Sequence, residues 1–112
     1  MDSNEQYVRE KWEDVDLDVD IDGSAVVTAG FDIDEFQRGI QTTANSESAA
    51  WQAAADFTRA HEKKISDVEE EIRYLQITAD EFNRNERDWE TWGRILAARQ
   101  AALTELRKGW KG

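Results

Sequence analysis

The most distinctive stretch of this 112-residue chain is a row of five aspartates that alternates with apolar residues and ends in glycine. It spans residues 14–23 and reads DVDLDVDIDG. Because side chains alternate between the two faces of a strand, an extended chain here would have one acidic and one apolar face. The acidic face would hold Asp14, Asp16, Asp18, Asp20 and Asp22, and the apolar face, predicted to point inward, Val15, Leu17, Val19 and Ile21.

The acidic row has four interpretations. As the outer face of an edge strand, its charge would prevent edge-to-edge aggregation. As a phosphate mimic, it would place carboxylates roughly 6.6 Å apart, a spacing comparable to that of phosphates along one nucleic-acid strand. As a binding surface, it would face a basic region of another protein or the basic end of its own chain.

Calcium coordination is the fourth interpretation. Asp18, Asp20 and Asp22, followed by Gly23, have the spacing that opens an EF-hand loop. The twelfth position of such a loop is Ala29 and not the bidentate glutamate, and the β-branched residues between the aspartates favour a strand. We therefore predict no bound metal or cofactor. If calcium does bind, these three aspartates are the candidate ligands, and the affinity would be low.

Residues suited to enzymatic chemistry are scarce. The chain has no cysteine and a single histidine, His61, so a Ser-His-Asp triad or a zinc site would depend on one imidazole. His61 falls near an apolar helix face, where we expect it to pack or cap rather than to catalyse. No glycine-rich phosphate loop of the GxGxxG or GxxxxGK[ST] type occurs. The sequence therefore favours a protein that is not an enzyme.

A second candidate surface is a helix near the C-terminus that carries tryptophan and arginine. Trp89 and Trp92 are one helical turn apart, Arg99 follows at a heptad position, and Trp110 ends the same stripe. Tryptophan and arginine are common anchors of protein interfaces. The stripe is expected to pack in a core or to bind a partner, and Arg99 to pair with an acidic residue of the opposite helix and so fix the register.

The net charge of −11 is concentrated at one end of the chain. Residues 1–35 hold twelve acidic and two basic residues, a net charge of −10, and the rest of the chain carries −1. This distribution disfavours direct binding to nucleic acid or to an anionic membrane and favours a basic partner. No apolar run approaches the roughly 20 residues that cross a bilayer, and the acidic N-terminus is unlike a signal peptide. We therefore expect a cytoplasmic protein.

The candidate surfaces must be positioned by a few elements of one domain, residues 1–112. Residues 1–6 are predicted to be a flexible tail and residues 7–31 an acidic β-hairpin, with a bulge or bend near Glu13. An Asp-Gly pair at residues 22–23 predicts a two-residue turn. The inward face of the return strand is predicted to be Ala25, Val27, Ala29 and Phe31.

Two helices are predicted to follow the hairpin. Asp32 is the expected N-cap of a long helix over residues 33–82, which residues 42–48 could break. A second helix is predicted over residues 86–108, with Asn85 as its N-cap and Gly109 as its C-cap. Heptad spacing of apolar residues in both helices predicts an antiparallel helical hairpin.

The sequence thus predicts an α+β fold, an N-terminal antiparallel β-hairpin followed by a long helix and a coiled-coil-like antiparallel helical hairpin. A thin core and five tryptophans favour a homo-oligomer, most simply a two-fold dimer. The expected function is that of an interaction or assembly protein, which self-associates through its helices and presents its acidic ribbon to a basic partner. The alternatives are an acidic nucleic-acid mimic that inhibits a nucleic-acid-binding protein and a weak calcium-binding structural protein.

Overall fold

The computed structural model of the chain describes residues 3–30, 39–79 and 86–112, with only the backbone described for residues 86–88. The fold is α+β, with a three-stranded antiparallel sheet followed by a long helix and a second helix. In chain order the elements are α1 (Ser3–Lys11), β1 (Asp16–Val19), β2 (Ala25–Ala29), β3 (Ile40–Ala44), α2 (Glu47–Ile77) and α3 (Glu86–Leu106).

Helix α1, Ser3–Lys11, stands where a flexible tail over residues 1–6 and the start of the hairpin from residue 7 were predicted. An ion pair between Glu5 and Arg9, four residues apart, spans one turn with 2.9 Å between Nε and Oε2. Val8 and Trp12 are buried, at 0 and 1% exposure. Residues four positions apart share one face of a helix and also one face of a strand, so this apolar pair could not distinguish the two structures.

The predicted β-hairpin is confirmed for β1 and β2, which pair antiparallel with Val19 opposite Ala25. Its turn differs from the two-residue turn predicted at residues 22–23. The Asp20 amide donates to the Ser24 carbonyl at 2.8 Å, and the Gly23 amide donates to the Asp20 carbonyl at 2.9 Å, so residues 21–23 form the loop. Only the glycine of the Asp-Gly pair has a positive φ, +90°. Of the bulge or bend predicted near Glu13, the bend is confirmed: the chain bends at residues 13 and 14 before it enters β1, and Asp14 has a positive φ of 52°.

Strand β3 contradicts the helix that was predicted for residues 40 and 41. The possible break of that helix at residues 42–48 is confirmed, because the chain is not helical again until Glu47. Ile40 pairs with Ala29, and Ala44 pairs with Ala25, so β2 lies at the centre of the sheet. Helix α2 begins only after this strand, where the Ser46 hydroxyl accepts a hydrogen bond from the Ala49 amide at 3.2 Å as an N-cap. The predicted N-caps Asp32 and Asn85, and the inward residue Phe31, lie outside the described residues.

The chain divides into two compact units, and the first holds Met1–His61 and Arg107–Gly112. Its core is formed where one face of the sheet packs on α1 and on the first half of α2. The predicted inward face of β2 is confirmed for Ala25, Val27 and Ala29, which are completely buried. The core consists of these residues with Val8, Trp12, Ile40, Ala50, Trp51, Ala54 and Ala55.

The C-terminal segment belongs to the first unit. The Gly109 carbonyl accepts a hydrogen bond from the Glu13 amide at 2.8 Å, and the Lys111 amide donates to the Lys11 carbonyl at 2.7 Å. An antiparallel bridge therefore joins the end of the chain to the segment that follows α1. Gly109 has the positive φ expected of a residue that follows a helix, +73°, although α3 ends at Leu106 and not at residue 108.

The second unit, Glu62–Leu106, is a helical hairpin made of the second half of α2 and of α3. The Trp92 indole N–H donates to the Leu75 carbonyl at 2.7 Å, and Arg99 pairs with Glu71. These contacts advance in opposite directions along the two helices, so the predicted antiparallel arrangement is confirmed. No described helix has an apolar stretch that would cross a membrane.

Candidate partner-binding surface

The acidic row lies on an edge strand of the sheet and is exposed. Asp16 and Asp18 alternate along β1 opposite Thr28 and Val26 of β2, so their side chains share the sheet face that is turned away from the core. Within the described part of the chain, β1 pairs only with β2. The predicted outward orientation therefore holds for the strand, and all five aspartates of the row are exposed: Asp14, Asp16, Asp18, Asp20 and Asp22.

The last two aspartates belong to the hairpin turn and share one hydroxyl group. The Ser24 Oγ lies 2.7 Å from Asp22 Oδ1 and 3.4 Å from Asp20 Oδ2. The Ser24 amide also donates to Asp22 Oδ1, at 3.0 Å. These hydrogen bonds, first from the Ser24 side chain and then from its backbone, hold the pKa of Asp22 below its ordinary value. The turn thus keeps Asp22 charged at all but strongly acidic pH.

Of the four apolar residues that alternate with the aspartates, only the first two point inward as predicted. Val15 and Leu17 pack against the core, but Val19 is 53% exposed and Ile21 is fully exposed. Ile21 lies in the turn, where the alternation of a strand no longer decides which way a side chain points. Val19 is at the end of an edge strand, whereas its partner Ala25 on the central strand is buried. The tip of the hairpin, Val19–Ser24, therefore presents apolar and acidic side chains together.

The positions of the aspartates disfavour two of the four interpretations of the acidic row, phosphate mimicry and calcium coordination. The regular carboxylate spacing of a phosphate mimic requires extended backbone, and only Asp16 and Asp18 lie on the strand. Among the described residues no group of three or more histidine, cysteine, aspartate or glutamate side chains could hold a metal ion. The three calcium candidates Asp18, Asp20 and Asp22 are described, and they form no such group.

The residues of the tryptophan-arginine helix are divided between the two units. Trp110 follows the end of α3 and packs in the first unit, where its ring lies edge-on to Trp12 with 4.9 Å between the centroids. His61 contacts both rings, at 4.8 Å from Trp12 and 5.2 Å from Trp110. Trp110 is therefore committed to contacts within its own chain and is not part of one continuous stripe with Trp89.

The other three residues of that helix lie together in the second unit. Trp89 and Trp92 stack with 4.6 Å between their ring centroids, and Trp89 remains 39% exposed. Arg99 forms an ion pair with Glu71 of α2, so the predicted pairing across the hairpin is confirmed. Both side chains of this pair are about half exposed (44 and 56%), which limits its contribution to stability to about 0–1 kcal/mol.

An apolar region of the second unit is absent from the sequence prediction. Tyr74 and Ile77 of α2 are 66 and 72% exposed, and Ile95 of α3 is 40% exposed. Tyr74 and Ile95 line a groove between the two helices. The three-residue spacing of Tyr74 and Ile77, beside the heptad seam rather than within it, is the sequence signal that could have identified this face.

Comparison with protein families, with curated proteins and with solved structures finds no match to this chain. Its candidate surfaces are therefore defined by geometry and charge alone.

Proposed function

We propose that this chain is a non-enzymatic interaction and assembly protein. Its acidic hairpin binds a basic protein surface, and its helices join it to a second copy in a homodimer. The composition of the hairpin tip supports the binding of a basic protein surface. There the fully exposed Ile21 stands between Asp20 and Asp22 at the end of an edge strand.

An apolar side chain enclosed by charged ones is the usual make-up of a binding surface. Charged groups around an interface steer the partner and set specificity, while an apolar anchor at its centre supplies affinity. A row that only kept the edge strand soluble would need its aspartates but not the exposed Ile21 and Val19. A basic protein surface is preferred to nucleic-acid mimicry as the target because a regular carboxylate row extends over only Asp16 and Asp18.

The test neutralises the row without changing its shape. In the triple variant D16N/D18N/D20N, three carboxylates become amides of the same size. Exposed ion pairs contribute about 0.2–1 kcal/mol each, so losing three should weaken partner binding by roughly 3- to 150-fold. The matched control E62Q/E90Q/E105Q removes the same charge from exposed positions on the helices and should retain binding.

The experiment begins with capture of partners from a lysate of the native host by wild type and both variants, followed by calorimetry with the identified partner at low and high salt. We expect loss of capture for the aspartate variant alone and a steep decrease of affinity with salt. An I21A variant should weaken binding at both salt concentrations, because an apolar contact is not screened. Equal binding by wild type and both triple variants would refute the proposed role of the row.

A further inference from the structure

A groove runs between α2 and α3 and lies wholly within the second unit. Its volume is about 620 Å³. The apolar side chains of Tyr74, Leu75 and Ile95 line it, together with charged residues that include Glu70 and Arg99. Two packed helices leave the sides of their apolar seam open, and a helical bundle closes them by adding further helices.

We infer that this groove is occupied by the same groove of a second copy, so that two helical hairpins form a two-fold four-helix bundle. The inference deepens the proposed function, because it rests on the self-association proposed there and gives that self-association a location. Exposed apolar side chains alone do not identify an occupant. The register of the helical hairpin and the positions of its charged residues indicate that the occupant is a second copy.

The register places complementary side chains at the same level on the two helices. Trp92 contacts Leu75, and Arg99 contacts Glu71. Counting from these contacts, Tyr74 lies level with residue 95 and Glu70 level with residue 99. A two-fold axis parallel to the helices lays α2 of one copy on α3 of the other at equal height. Tyr74 then meets Ile95 of the second copy, and Glu70 meets Arg99 of the second copy.

The charges of the groove favour a second copy over a basic peptide. Asp67, a further lining residue, pairs with Lys63 at 3.2 Å, and Glu71 pairs with Arg99. Glu70 makes no ion pair or hydrogen bond within the described part of the chain. The lining of the groove therefore includes Glu70, whose carboxylate has no partner among the described residues, and Arg99, which is half exposed although it pairs with Glu71. Two such grooves can face each other with opposite charges in contact, whereas the lining is not a surface of one sign.

The test reverses the two charges in separate chains and then mixes them. A dimer of E70R would bring two arginines together at each of these contacts, and a dimer of R99E would bring two glutamates together. Like charges in contact at an interface are strongly unfavourable, so each variant alone should dimerise at least roughly tenfold more weakly. In the mixed dimer, one contact joins the two reversed side chains and the other joins the two native ones, so both contacts again pair opposite charges. The mixture should therefore dimerise at least roughly tenfold more tightly than either variant alone, which no effect within a single chain could produce. Recovery need not be complete, because R99E also loses the ion pair with Glu71 of its own chain.

The measurement is light scattering of the full chain over a range of concentrations, with E90R as a control that reverses a carboxylate on α3 outside the groove. Wild type and E90R should reach twice the chain mass of 12.9 kDa, while E70R and R99E should remain near it until they are mixed. Circular dichroism melts establish that every variant is folded.

The outcomes separate this inference from the proposed function. If wild type dimerises and the E70R variant dimerises equally well, the groove is not the interface, but self-association remains. A wild type that stays at 12.9 kDa would refute both the dimer and the groove contact, and would leave the groove open to a basic amphipathic peptide. Neither result affects the partner-binding role of the aspartates, which the D16N/D18N/D20N variant tests independently.

Discussion

Replacing Thr58 with valine tests the polar contact at the centre of the first unit. The indole N–H of the buried Trp12 donates to Thr58 Oγ1 at 3.0 Å, and that hydroxyl donates to the Ala54 carbonyl at 2.6 Å. Thr58 and Trp12 are 0 and 1% exposed. Valine retains the shape of threonine but removes the acceptor, so the indole N–H would remain buried without a partner. The carbonyl of Ala54 loses little, because it also accepts the ordinary hydrogen bond of the helix.

The expected cost of T58V is the desolvation of one buried donor, about 1–3 kcal/mol. Urea denaturation, followed by circular dichroism and by fluorescence, measures this cost if the two transitions coincide. T58S retains the hydroxyl and loses only a methyl group, so it should cost less than T58V.

A double-mutant cycle assigns this cost to the hydrogen bond. In a W12F background the donor is absent, and T58V should there lose at least half of its effect. Increased solvent exchange of the Trp12 indole proton in T58V would provide an independent measure. If T58V costs less than about 0.5 kcal/mol, or costs the same in both backgrounds, the hydrogen bond does not contribute as argued.

Two further predictions concern the backbone turns. In S24A the pKa of Asp22 should rise toward its ordinary value, as an NMR titration of the carboxyl group would show, because the Ser24 hydroxyl is the main cause of its lowering. The Ser24 hydrogen bonds stabilise the fold above the ordinary aspartate pKa, and this contribution is lost as the pH falls through the lowered value; an unchanged pKa in S24A would contradict the assignment. G109A should destabilise the first unit by more than about 1–2 kcal/mol in urea denaturation, because its φ is strained for a side chain and its Cβ would lie 2.6 Å from the Cα of Gly30. G23A, where φ is also positive but no atom lies within 4 Å of a Cβ, isolates the cost of φ, and equal costs for both variants would refute the close contact.

The fold class could be predicted from the sequence where one signal repeats along the chain. Alternation over residues 14–29 identified the hairpin and the inward face of β2, and heptad spacing identified the antiparallel helices and the pairing of Arg99. Strand β3 was not predicted, because its residues are neither strongly apolar nor periodic over a long enough stretch. It is a strand because β2 lies beside it, and pairing between distant segments is not encoded in a local pattern.

The candidate site was predicted in composition but not in extent. The aspartates are exposed as expected, yet Ile21 is exposed as well, because alternation determines orientation only within a strand. Heptad spacing predicts that Trp110 ends the helical stripe of Trp89, Trp92 and Arg99. The helix ends at Leu106, and the turn that follows returns Trp110 to the first unit. A residue beyond a helix end keeps the sequence spacing of the stripe but not its direction.

The distribution of the tryptophans determines where self-association should be sought. The sequence predicts that a core of this size does not accommodate all five of them. Trp12 and Trp51 are buried in the first unit, and Trp110 packs on Trp12 there, so that unit accommodates three tryptophans within one chain. The argument therefore applies only to the second unit, where Trp89 and Trp92 stack on each other and Trp89 remains partly exposed. Neither of these two lines the groove. A dimer that tolerates E70R but is lost when Trp89 is replaced by alanine would therefore place the interface on the tryptophan pair. The register and charges of the groove predict instead that E70R weakens the dimer and that the alanine variant of Trp89 retains it.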